Sequence, residues 1–386
     1  MKGRRSAATP TGHRRVMVWR DLVLPGSETF IRNQIDAMTR WEPVLVGVRS
    51  IESPIRRDTD LVLFDDSFFG RVERRLFAVW GWSPRLDRLL KKGGVGLIHA
   101  HFGMGAVSIA RTARRLGIPL IVTVHGNDVT RTDLRSGTGG REGRAYARRL
   151  TDALRYATTV VAVSHFIARQ VRDGYAVPDH KVAVLPIGVP SRSPSAETEP
   201  QRDILFVGRL VAKKGVSDLL TAVEVAGHQI PPPSVCIIGD GKLREQLEAE
   251  ARARGVNATF AGARSPDDVE KAMRTSRLFV APSRTAPDGD AEGLGMVFLE
   301  AARAGRPVIA YDHGGVGEAV VDGVTGVLVP EGDTAALADA IVQLLGDPEL
   351  RSRMGEAGRR RVADEFDIRT CTAALEDEFD RVAGGG

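Results

Sequence analysis

Two carboxylates eight residues apart, Glu292 and Glu300, bracket the stretch Glu292-Gly-Leu-Gly-Met-Val-Phe-Leu-Glu300. Gly293 and Gly295 permit a tight loop, and Met296 to Ala304, stopped by Gly305, reads as a helix. The amides at Gly295, Met296 and Val297 open that helix, lack intrahelical acceptors and favour an anion. Glu292 precedes the helix and Glu300 stands in its second turn. Amides for phosphates together with carboxylates for hydroxyls are what a nucleotide sugar needs. An ordinary helix start with two solvated acids has the same residue types.

Phe206-Val-Gly-Arg-Leu-Val-Ala-Lys-Lys-Gly215 follows an apolar run. Gly208 lets the chain turn, and Arg209 and Lys214 carry two cations that can neutralise a diphosphate leaving group without a metal. A solvated basic loop is the plain alternative. Gly239-Asp-Gly241 also lies between a strand and a helix, where glycines bring amides close to a phosphate or base. In the first half, Pro25-Gly26-Ser27-Glu28 opens a helix with Ser27 as its expected N-cap. His99-Ala-His101 ends one strand, and His125-Gly-Asn-Asp128 follows another. These groups are expected at one sheet edge. The competing readings are strand-capping histidines, His99 above all, or zinc held by His99, His101 and His125.

The elements that must position these residues read as β–α alternation. Expected strands are Val16–Trp19, Val44–Val48, Gly96–Ala100, Leu120–Val124, Thr159–Val163 and Val182–Leu185, then Ile204–Val207, Val235–Ile238, Ala258–Ala261, Leu278–Ala281, Val308–Tyr311 and Val327–Val329. Helical periods lie between them, among them Ser27–Met38, Ala106–Leu116 and Lys242–Ala253. The fold class is α/β, with two Rossmann-like doubly wound parallel sheets facing a cleft. The expected organisation is a flexible tail over 1–14, a first Rossmann-like domain over 15–190 and a linker over 191–200. A nucleotide-sugar-binding domain over 201–365 and a helix over 366–386 crossing back to the first domain complete it. The 386 residues suit two domains.

The set of motifs closely resembles the family 4 retaining glycosyltransferases of the GT-B fold, over Val16 to about Phe366. The Glu-x7-Glu element falls at Glu292 and Glu300, and Gly-Arg-Leu-x-x-x-Lys-Gly at Gly208, Arg209, Leu210, Lys214 and Gly215. Ile238-Gly-Asp-Gly241 and Pro307 to Gly315 with Glu318 match as well. The first-half motifs look like the acceptor-side motifs of the exopolysaccharide enzymes of the colanic acid and amylovoran type, which implies that 15–190 is the acceptor-binding domain and that His99, His101 and Asp128 lie on its acceptor side. The resemblance implies that Arg209 and Lys214 hold the donor diphosphate, that Glu300 binds ribose, and that Glu292 contacts the donor sugar. It places His125 near that sugar and Gly26 near the diphosphate. It also implies retention of anomeric configuration. Leu294, Gly295 and Met296 stand where Phe or Pro is common, which leaves the donor sugar open. Asp58-Thr-Asp60 and Asp288-Gly-Asp290 resemble the metal signature of single-domain glycosyltransferases. With Arg209 and Lys214 in place, no obligatory metal and no other cofactor is expected.

Charge is uneven: residues 1–190 carry 31 basic and 17 acidic side chains, the remainder 23 and 32. No nucleic-acid-binding pattern accompanies the basic half, so no nucleic-acid partner is expected. Arg71 to Lys92 interleaves seven basic residues with Phe77, Trp80, Trp82 and Leu89, which suits an amphipathic helix on anionic lipid or a helix packed on its own sheet. The expected partners are a nucleotide-diphosphate sugar, a saccharide or lipid-linked acceptor and an anionic membrane. Arg20 and Asp21 interrupt the first apolar stretch, which argues against a signal peptide. With only Cys236 and Cys371 and no apolar run of about 18 residues, the expected place is the cytoplasm, at the inner face of the plasma membrane. Rival readings are a nucleotide-sugar epimerase, a non-catalytic binding protein, or an NAD-dependent oxidoreductase. The last lacks a Gly-x-Gly-x-x-Gly after its first strand.

Overall fold

The computed structural model describes residues 14–26, 28–138, 140–191 and 199–384. Residues 1–13 of the tail expected over 1–14, the Ser27 cap and most of the 191–200 linker lie outside the described residues, while Arg14 already belongs to the first strand.

Seven strands form the first sheet: β1 (Arg14–Val23), β2 (Trp41–Ser50), β3 (Leu61–Val62), β4 (Val95–His101), β5 (Leu120–Val124), β6 (Thr159–Ala162) and β7 (Val182–Val184). Their order is β3-β2-β1-β4-β5-β6-β7, and every pairing is parallel. The second sheet takes β8 (Arg202–Val207), β9 (Val235–Ile238), β10 (Ala258–Gly262), β11 (Ser276–Val280), β12 (Val308–Asp312) and β13 (Gly326–Pro330). It runs β10-β9-β8-β11-β12-β13, again all parallel. Both orders reverse beside their first strand, which opens a crevice at the strands' carboxyl ends.

The central strands are apolar throughout because helices cover both faces; every residue of β5 and β6 is buried. In register, Val18 lies between Leu45 of β2 and His99 of β4. The expected strands are present with ends shifted by a few residues at most, and the two-residue edge strand β3 is an addition. The first helix runs Thr29–Ala37 rather than from Ser27, and its N-cap Glu28 makes no side-chain cap. Its carboxylate is committed elsewhere, as described below.

The carboxyl-terminal segment forms two helices, Pro348–Glu365 and Ile368–Gly384, separated at Phe366 and Asp367. The second returns to the first sheet, where Leu375, Phe379 and Val382 join Val16, Trp41, Leu97, Ile121 and Val161 in one core. Glu376, almost fully buried, accepts from the amides of Thr39 (3.0 Å), Arg40 (2.7 Å) and Trp41 (2.9 Å). A buried carboxylate is tolerated there because backbone donors satisfy it. Among the described residues no helix is long and apolar enough to cross a membrane.

Candidate active site

At the end of β8, the chain turns through Gly208, Arg209 and a short 3-10 turn, Ala212–Lys214. It is zipped to the next loop, since Leu210 N donates to Asp240 O at 2.9 Å and Gly208 N to Ile238 O at 3.0 Å. Gly239 has φ 140°, and a Cβ there would collide with the carbonyl of Gly208. A Cβ on Gly241 would collide with Leu210 O. Contact between the two loops therefore explains both glycines. Arg209 stands exposed at the carboxyl end of β8.

Lys214 instead turns inward, and its ammonium is ion-paired with Glu292; their side chains are only 18% and 14% exposed. Alongside, Lys213 Nζ meets Asp290 Oδ2 at 2.7 Å, a second pair of similar burial. Burial alone would push the Glu292 carboxyl up. Lys214 and Lys213 overcome that and hold it down at about 2. His313, at the end of β12, is 7% exposed, with Nδ1 3.3 Å from Thr285 Oγ1 and 4.0 Å from Glu331. Burial depresses its pKa, against the pull of Glu292 and Glu331.

Beyond Glu292 the helix Met296–Arg303 starts from Gly295, whose φ is 83°. Phe298 N turns back to Gly295 O at 2.9 Å, leaving Met296 and Val297 as first-turn amides without an intrahelical acceptor. Glu300 lies half-buried on this helix.

The first domain supplies the opposite wall. His125 follows β5, and its ring lies 5.1 Å from Phe30, 4.2 Å from Phe102 and, stacked, 5.3 Å from His101. His101 Nδ1 and His125 Nε2 are 3.1 Å apart, a hydrogen bond between two imidazoles. Burial holds both far below the usual histidine range, so both are neutral. His99 sits fully inside, with Nε2 2.7 Å from Thr123 Oγ1 and its ring against Phe379. Burial lowers it to about 3. His99 thus reaches the cleft only through its neighbour His101. Asp128 is buried and accepts from the amides of Gly126 (2.8 Å), Gly103 (3.0 Å) and His125 (3.1 Å). Its carboxylate shapes the loop that carries His125. Gly26 lies near Pro54, beyond the end of β1.

Arg20 and Glu28 escape sequence reasoning. Arg20 stays within β1 and pairs in two-pronged fashion with Glu28, its Nε at 2.9 Å, while its guanidinium lies 4.4 Å over the Phe102 ring. Lys213 and His313 were equally hidden, the first behind its neighbour Lys214.

The two walls touch. A Cβ on Gly293 would collide with the His125 carbonyl, and Gly126, at φ 150°, faces Gly293 and Ala291. Ser164 Oγ donates to Gly293 O at 2.5 Å, Thr132 N to Asp288 O at 2.7 Å, and Arg131 pairs with Asp288 at 3.3 Å. Glu318 accepts the His165 and Phe166 amides, each at 2.7 Å, capping a helix of the other domain. Lys214, Glu292, Gly293 and His125 therefore belong to one crevice. Three of the four Asp-x-Asp acids are committed to cations of the chain: Asp60 to Arg32 at 2.5 Å, Asp288 to Arg131 and Asp290 to Lys213.

Residues 25–192 match the family model described as Glycosyltransferase Family 4, and residues 190–361 that described as Glycosyl transferases group 1. Over 312 residues the chain is 30% identical to the GDP-mannose-dependent alpha-(1-6)-phosphatidylinositol monomannoside mannosyltransferase of Mycobacterium tuberculosis, covering 76% of this chain and 78% of that protein. It is 29% identical to the alpha-D-kanosaminyltransferase of Streptomyces kanamyceticus over 318 residues, covering 75% and 78%. In structure it resembles Anabaena Alr3699/HepE in complex with UDP and glucose, with TM-score 0.74, 19% identity, and 96% and 100% of the two chains covered. The two family models set aside the oxidoreductase, epimerase and non-catalytic readings, and the sequence relatives, named for different sugars, choose no donor. With both halves matched in this way, the chain belongs to the family 4 glycosyltransferases, and its two facing sheets are the GT-B fold.

Proposed function

We propose that the chain transfers a hexose, with retention, from a nucleoside diphosphate sugar to a saccharide or lipid-linked acceptor during assembly of exopolysaccharide or another cell-surface glycan. The observation that carries this reading is the Lys214–Glu292 pair, placed where its own loop abuts His125 and Gly126. Glu292, held at about 2, stays ionised and accepts hydrogen bonds from sugar hydroxyls. An arriving diphosphate competes for the Lys214 ammonium, and Arg209 adds a guanidinium fork. The amides of Gly295, Met296 and Val297 complete the anion site, and Glu300 takes the ribose. His125, neutral and oriented by His101, offers a hydrogen bond to the donor sugar without adding charge.

In the transfer, the bond from C1 to the diphosphate oxygen breaks. The acceptor oxygen bonds to C1 on the same face, and its proton passes to the departing phosphate oxygen. No protein base is required, and the cations stabilise the charge that develops. The exopolysaccharide assignment rests on the motifs around Gly26, His101 and His125. A lipid-linked acceptor is supported by the relative named for a phosphatidylinositol mannoside.

The test is a panel of UDP- and GDP-hexoses with lipid and oligosaccharide acceptors, the product's anomeric configuration being read by proton NMR. One donor should give a product of unchanged configuration. An inverted product, or no transfer from any nucleotide sugar, would remove the reading.

A further inference from the structure

The helix Phe68–Trp80 is anchored to the first domain by one inward side chain, Phe77, whose ring lies 5.6 Å from Phe64 and 5.9 Å from Trp19. Its end is fastened to the neighbouring helix, since Arg111 donates to Val79 O at 2.6 Å and Thr112 to Gly81 O at 2.5 Å. The outward face is apolar: Phe68 is 67% exposed, Phe69 76%, Leu76 53%, Val79 60%, Trp80 71%, and Trp82 beyond the helix 51%. At 3.6 residues per turn the exposed apolar residues of the helix fall on one arc of about 120°. Arg71 and Arg75 border that arc and are exposed. The following helix, Pro84–Lys92, turns Leu86 and Leu90 inward and Arg85, Arg88, Lys91 and Lys92 outward. From 68 to 92 there are seven basic residues and two acidic ones, Glu73 and Asp87. Glu73 pairs with Arg85 at 3.4 Å, and Asp87 is held by Arg115.

A patch this large, bordered by basic groups of one sign, has no packing partner among the described residues. We propose that it docks on the surface of an anionic bilayer, with the aromatic residues entering the headgroup region and the basic residues facing lipid phosphates. Charge complementarity decides the occupant: an apolar dimer contact would bring like-charged rims together. The placement suits membrane work, because the chain reaches Phe68 from the carboxyl end of β3, the edge of the sheet that faces the cleft. An acceptor held in the same bilayer would then lie beside the crevice. Docking stands independently of the donor chemistry proposed above and is read without any activity.

The test is flotation of the full chain with vesicles of phosphatidylcholine mixed with phosphatidylglycerol, or of phosphatidylcholine alone, at low and high salt. The comparison set is wild type, Phe69→Ser/Leu76→Ser/Trp80→Ser, and Arg71→Glu/Arg75→Glu/Arg88→Glu, with circular dichroism and nucleoside diphosphate binding confirming the fold of each. Wild type should bind the anionic vesicles at low salt and shift its tryptophan emission to the blue. Each variant should bind at least tenfold more weakly. Failure of wild type to bind, or full binding by the apolar variant, overturns the proposal. So does sedimentation showing a dimer that the apolar variant abolishes while vesicles go unbound.

Discussion

The ammonium of Lys214 rests on the carboxylate of Glu292, across the turn between two loops that meet only because the second sheet brings β8 and β11 side by side. The pair keeps the Glu292 carboxylate ionised in a nearly buried place. Replacing Lys214 by alanine should lower kcat by about 10² to 10³, the usual loss for one preorganised charge-stabilising donor. Circular dichroism should be unchanged. The Glu292 carboxyl should then titrate higher, with burial no longer opposed by its nearest cation. A variant turning over at wild-type rate would remove Lys214 from the chemistry.

Gly293 has no room for a side chain because the His125 carbonyl occupies it. Both partners are backbone, so neither can swing aside. Gly293→Ala should push the two walls apart and reduce kcat/KM at least tenfold, while leaving the circular dichroism of each domain intact. Gly94→Ala, where a Cβ meets nothing within 4 Å though φ is 64°, is the comparison for a simple backbone penalty. Equal kinetics in the two variants would show that the contact has no bearing on transfer.

The imidazoles of His99, His101 and His125 are neutral in the folded chain because burial depresses all three. In the unfolded chain they take up protons near pH 6.5. Depressed folded values mean that their stabilising contribution is present above pH 6.5 and lost as pH falls below it. Each should cost about 1 kcal/mol over the first unit below that point. Urea unfolding across this range should show the decline, and His99→Gln should flatten part of it. A stability profile rising toward acid would contradict the neutral assignment.

Asp288 and Asp290 are paired with Arg131 and Lys213, and the anion site is built from Arg209, Lys214 and helix amides. Transfer should therefore persist after exhaustive treatment with a chelator, with kcat changing less than twofold. A rate restored only by a divalent cation would show that these acids leave their partners to bind metal.

Glu376 joins the last helix to the first sheet through three amides. Glu376→Ala should destabilise the chain by about 3 kcal/mol, since the buried N–H groups are left without an acceptor. Chemical denaturation gives the figure, and donor affinity at low temperature should be unaltered. An unchanged midpoint would show that water replaces the carboxylate at no cost.

Much of this arrangement can be read directly from the chain. β5 and β9 coincide with their expected limits because apolar runs there are bounded by turn residues. Leu61–Val62 carries too few residues for any period to show. The donor loops are legible since glycines, cations and acids stand at strand ends, where a doubly wound sheet places ligands. What crosses between domains is not: Glu318 caps a helix more than 150 residues earlier, and no spacing rule links them. Arg20 reads as a break in an apolar stretch until Glu28 folds back to meet it. Gly239 reads as a ligand-facing glycine, whereas the carbonyl of Gly208 already demands it. His99 shares its motif and its strand face with His101, and only its place two residues short of the strand's end leaves it in the interior, paired with Thr123.

Arg209, Lys214 and the amides before Phe298 should together hold a single diphosphate. Titration calorimetry of UDP and GDP into wild type, Arg209→Ala and Lys214→Ala measures this. One nucleotide should bind wild type, and each substitution should weaken it at least tenfold. Undiminished affinity in both variants would mean that the diphosphate lies elsewhere.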